Sequence, residues 1–113
     1  KEAGILTTDR VHLNETGNAF VAAEMTVFLR SLAARYGGNQ VCTVGKVDLH
    51  PNLINVVPAT ATLTLDVRNT DESLLRDAEQ EIAAHLAAVA ASEGVTVSSR
   101  PLARFEPVVG RNV

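Results

Sequence analysis

His50–Asp71, HPNLINVVPATATLTLDVRNTD, decides the fold. From Ala59 to Arg68 apolar and polar residues alternate strictly. Ala61, Leu63, Leu65 and Val67 fall on one side, and Thr60, Thr62, Thr64, Asp66 and Arg68 fall on the other. Successive side chains of a strand point to opposite faces, so this segment reads as a strand with one buried and one polar face. Such one-sided burial favours an antiparallel sheet. The half that precedes it, with Pro51, Asn52, Asn55 and Pro58, is rich in turn-forming residues.

Helical periodicity flanks the strand on both sides. Val21, Met25, Phe28, Leu29, Leu32 and Tyr36 recur at helical spacing over Phe20–Tyr36, and Gly37–Gly38 supplies a stop. Val41–Leu49, VCTVGKVDL, is β-branched and strand-like, with Gly45 placed for a bulge or a close approach. After Arg68, Thr70 or Asp71 can cap a second helix whose apolar stripe is Leu75, Ala78, Ile82, Leu86 and Val89, ending at Gly94. VTVSSRPLARF then reads as a last strand, with Pro101 marking an edge or a bulge. GILTT and VHLNETG are short strand-like pieces at the start. The expected order is βαββαβ. Its fold class is α+β and ferredoxin-like, a four-stranded antiparallel sheet with two helices on one face, forming a single domain over residues 1–113.

Composition narrows the function. With 46% hydrophobic residues a core is attainable, but 4% aromatic content means that Val, Leu, Ile and Ala must build it. A net charge of −3 offers no basic footprint for nucleic acid, and no apolar run is long enough for a membrane span. The one cysteine, Cys42, fits a reducing, cytoplasmic setting and reads as a buried structural thiol. KEAGILTT does not resemble a natural N-terminus, which suggests a piece of a larger protein.

Catalytic chemistry finds few candidates. His12, His50 and His85 lie on separate segments without the convergent spacing a metal needs. The acids Asp71, Glu72, Asp77, Glu79, Glu81 and Glu93 read as a solvated helix face. No residue is therefore assigned as catalytic or metal-ligating. Asn55 and Arg68 carry two readings. They are either a loop residue and a surface charge, or an amide and a forked guanidinium suited to a ligand bearing a carboxylate or ureido group.

Thr43–Asp71, TVGKVDLHPNLINVVPATATLTLDVRNTD, resembles the lid, or dimerisation, domain of the M20-type metallohydrolases. Within them it is most similar to the N-carbamoyl-L-amino-acid hydrolases, allantoate amidohydrolases and β-ureidopropionases. The shared pattern is T-V-G, a strand, P-N-x-x-N-V-x-P, a second strand and D-x-R, and the likeness runs from about Phe20 to Pro107. The resemblance implies a lid that pairs with a second copy as a homodimer and closes over a small carbamoyl or ureido acid. A separate catalytic domain would carry two divalent metal ions, zinc or manganese, with none held by this chain. It also implies that Asn55 and Arg68 bind the carboxylate end of the substrate.

These two residues lie thirteen positions apart and bracket the strand. That strand spans roughly 30 Å, so a shared site would require Asn55 of one subunit to meet Arg68 of another. Family lids also carry an H-A-G-x-x-P-M segment before the first helix. This chain runs NETGNAFVAAEM there, so neither His12 nor His50 takes the place of that histidine, and a break or a shortened loop is expected at Gly17–Phe20. The competing reading is a stand-alone ferredoxin-like interaction or small-ligand-sensing module.

Overall fold

The computed structural model describes residues 2–10 and 17–104, with residues 2–10 and 100–104 described by their backbone. Its elements are β1 (Glu2–Arg10), α1 (Gly17–Tyr36), β2 (Val41–His50), β3 (Thr60–Arg68), α2 (Glu72–Glu93) and β4 (Val95–Arg104). The sheet runs in the order β2-β3-β1-β4, and every neighbouring pair is antiparallel. The protein is thus α+β, with β3 inside the sheet and β2 and β4 at its edges.

β3 shows the expected alternation. Ala61, Leu63, Leu65 and Val67 are buried, while the threonines between them are half-buried. Against that face α1 packs Val21, Ala22, Met25, Leu29 and Leu32, and α2 packs Leu75, Ala78, Ile82 and Leu86. Both helices therefore cover one face of the sheet. The stripe of α2 differs at its end, where Ala90 is buried and Val89 only partly so. Asp71 is the N-cap of α2 and accepts a bond from the Leu74 N–H at 3.1 Å, and Gly94 closes the helix in the left-handed conformation.

Both irregular strands fall where bulges were expected. The β2–β3 register shifts between Val44 and Lys46, leaving Gly45 as the extra residue. Through that shift Val44 opposite Leu65 and Val47 opposite Leu63 both stay on the helix side. In β4 the register shifts beside Pro101, which faces Gly4 on this edge strand. Cys42 is half-buried against the core, less enclosed than the sequence suggested, because β2 is an edge strand.

The start of α1 departs from expectation. The helix begins at Gly17 and not at Phe20, so Gly17–Phe20 form its continuous first turn. No break falls within Gly17–Phe20, and the shortened loop expected beside it would fall on the link from β1, residues 11–16, which lies outside the described residues, as does His12. Tertiary contact explains the early start. A Cβ at Gly17 would stand 2.9 Å from Val95 Cγ2 and 3.2 Å from the Glu93 carbonyl oxygen, so only glycine permits this approach. Asn18, fully buried, donates from Nδ2 to the carbonyls of Pro58 (3.1 Å) and Ala59 (2.8 Å).

Candidate functional site

The loop between β2 and β3 is closed at its base by the Ala59 N–H donating to the His50 carbonyl at 2.8 Å. Within it the His50–Pro51 peptide is cis and Asn52 has φ of 59°, a left-handed conformation that asparagine tolerates better than most residues. A longer bond from the Val56 N–H to the Leu53 carbonyl, 3.4 Å, turns the tip. Asn55 sits in that turn and is exposed. Leu53, Ile54 and Val56 around it are exposed too. The loop therefore presents an amide framed by apolar side chains.

Arg68 ends β3 on the face away from the helices. Its side chain is half-buried, and Nε lies 3.5 Å from Asp66 Oδ1 on the same strand face. Across the strand pair it stands opposite Val41. Its backbone carbonyl accepts from Gln40 Nε2 at 3.1 Å, and the same amide lies 3.5 Å from Cys42 Sγ. Burial, more than any other influence, pushes the Cys42 thiol pKa up, so this thiol stays protonated and is a poor nucleophile. Gln40 Oε1 in turn accepts from Asn69 Nδ2 at 2.9 Å, and Asn69 Oδ1 accepts from the Asp71 N–H at 2.9 Å. Beside this network Asn39 Nδ2 donates to Thr70 Oγ1 at 2.9 Å.

The polar face between these ends is a hydroxyl and charge ladder. His50 stands opposite Thr60, Asp48 opposite Thr62 and Lys46 opposite Thr64. Asn55 lies before the start of β3 and Arg68 at its other end, and the fold does not bring them together in one chain. His85 faces the other way. Its Nε2 is 3.0 Å from Glu24 Oε2 across the helix pair, and its ring stacks on Phe28 with centroids 3.9 Å apart. Among the described residues no three His, Cys, Asp or Glu side chains converge to hold a metal ion. No described helix is long and apolar enough to cross a membrane.

Sequence reasoning singled out Asn55 and Arg68 but passed over the buried amides Asn18, Gln40 and Asn69. The bonds that place them in the fold reach residues 28 to 41 positions away, which no local pattern exposes.

Known proteins resemble this chain in sequence or fold. Over 50 residues the chain is 48% identical to allantoate amidohydrolase of Escherichia coli (strain K12), a match covering 44% of this chain and 12% of that protein. An amidase of the hydantoinase/carbamoylase family from Burkholderia phymatum superposes with a TM-score of 0.70 at 25% identity, over 93% of this chain and 28% of that one. Another from Burkholderia multivorans gives 0.87 at 20% identity, over 95% and 28%, a likeness of fold. The chain thus spans under a third of the length of the relatives it matches. Residues 9–93 match the peptidase dimerisation domain of the M20 type. With the match running from β1 to the end of α2, the chain belongs to the M20 peptidase dimerisation domain family.

Proposed function

We propose that this domain is the dimerising, substrate-clamping lid of a metal-dependent amidohydrolase acting on N-carbamoyl or ureido acids. The observation that carries the reading is the placement of Asn55 before the start of β3 and of Arg68 at its other end. β3 has nine residues and spans roughly 30 Å, too far for one small ligand to touch both. A two-fold pair of lids resolves this by bringing the Asn55 loop of one subunit towards Arg68 of the other. In that arrangement the guanidinium forks onto the substrate carboxylate and the exposed amide completes its hydrogen bonding. Element order and the strand order β2-β3-β1-β4 support reading the domain as ferredoxin-like.

The chemistry itself would belong to the rest of the protein, where two divalent ions, zinc or manganese, would activate water. The lid's residues bind, orient and exclude solvent. The cytoplasm is the natural setting for such an enzyme. The test is turnover by the purified full-length protein, supplied with zinc or manganese, against N-carbamoyl amino acids, allantoate and dipeptides. Hydrolysis of the ureido acids is expected. Turnover of dipeptides alone, or none of the panel, would overturn the reading.

A further inference from the structure

α1 and β3 are matched in length and run side by side in the same direction. α1 has twenty residues and β3 nine, each about 30 Å long. At the start of the helix the buried Asn18 spends both amide hydrogens on the carbonyls of Pro58 and Ala59, where the Asn55 loop enters β3. Just beyond the helix's other end, buried Gln40 donates to the carbonyl of Arg68, where β3 stops. Buried Asn69 holds Gln40 from the far side and is itself tied to the cap of α2 through the Asp71 N–H.

We infer that Asn18 and the Gln40–Asn69 pair are positioning residues that fix the two ends of β3, and through them the Asn55 loop and the Arg68 guanidinium. The inference rests on the proposed clamping role for those two residues. A buried side-chain amide that loses its acceptors bears the cost of desolvation uncompensated, so its bonds restrain the backbone carbonyls they reach. The strand ends are where constraint is needed. The sheet ladder that holds the middle of β3 stops at Arg68, and the loop tip before Ala59 is held by one long bond. α1 therefore acts as a ruler between the two substrate-facing positions. Since those positions would serve opposite subunits of a pair, the ruler also sets the separation of its two sites.

The experiment uses the full-length protein with allantoate as the probe substrate. Asn18→Asp and Gln40→Glu replace a donor by an acceptor at nearly constant volume, with Asn18→Leu and Gln40→Met as apolar counterparts should either acid fail to fold. Each variant is combined with Asn55→Ala or Arg68→Ala. KM is expected to rise about two- to tenfold in the single variants, the range of one neutral hydrogen bond. That rise should disappear for Gln40 variants on Arg68→Ala and for Asn18 variants on Asn55→Ala, the non-additivity of residues that act through one another. Amide hydrogen exchange should quicken in peptides covering 53–60 and 66–70. A rise in KM that adds in full to that of the partner variant, or unchanged exchange in those peptides, overturns the inference. Should Arg68→Ala alone leave KM unchanged, the clamping role fails, and the exchange result still decides whether the amides hold the strand ends.

Discussion

Arg68 is the residue on which the proposed clamping role is most directly measured. Its side chain lies on the polar face, with Nε 3.5 Å from Asp66 Oδ1 and both groups about a third exposed. Partly exposed pairs of that kind contribute at most about 1 kcal/mol to folding. Arg68→Ala opens no cavity in the core and should shift the melting temperature little. A lost charge-assisted bond to a carboxylate costs about 1.5–3 kcal/mol, so affinity for a ureido acid should fall roughly ten- to a hundredfold in the full-length protein. Arg68→Lys should recover little of it, since a point charge cannot replace a forked donor. Steady-state kinetics beside thermal melting separates the cases. An Ala variant that melts much earlier yet keeps its KM would make Arg68 a structural residue.

At the scale of elements, the two helices are latched where α1 ends. The Tyr36 hydroxyl donates to Glu81 Oε2, and Arg35 Nη2 lies 2.9 Å from Glu81 Oε1. The bond from Tyr36, then that from Arg35, holds the Glu81 carboxyl below its usual range. The same bond to Glu81, followed by burial and the charge of the carboxylate, pushes the Tyr36 phenol up to about 12. The signs follow from linkage. A carboxyl lowered in the folded state contributes stability above its unfolded pKa and loses it as pH falls through the folded value. A phenol raised in the folded state contributes fully below its ordinary 10.0 and loses it as pH rises through about 12. The stability gap between the protein and Tyr36→Phe should be flat across neutral pH, shrinking in acid below about pH 4 and in base above about pH 10. Denaturant titrations across that range check this, and a gap unchanged at both extremes would show that the latch does not couple to titration.

The same elements show what the chain makes legible. β3 and the Asp71 and Gly94 ends of α2 are encoded locally, by a period of two and by short-range capping, so sequence suffices for them. The start of α1 is not. Gly17 and Asn18 resemble turn residues, and only contact with Val95 and with the Pro58 and Ala59 carbonyls makes them a buried first turn. The candidate site divides in the same way. Arg68 is visible from its place at the end of an alternating strand, whereas Gln40 and Asn69 become meaningful only when the fold sets them against each other.

For the whole molecule, the two outer strands of the sheet are the candidate surfaces for a second copy of the domain. Among the described residues β2 and β4 are the outer strands, and an outer strand whose backbone groups are unpaired invites pairing. They are not equivalent. Both carry a register shift, but β4 also carries Pro101, which has no N–H to give to a ladder. β2 has ten residues without a proline, lies under α1, and leaves Val41 and Val47 exposed. A two-fold axis beside β2 would extend the sheet across both subunits and set one α1 near the other. The full-length protein should therefore sediment as a dimer, and amide exchange in residues 41–50 should slow as concentration rises through the dimerisation range. Residues 95–104 should show no such dependence. Concentration-dependent protection of β4 instead would move the interface to the other edge. A strict monomer at high concentration would remove the geometry that lets Asn55 and Arg68 serve one substrate.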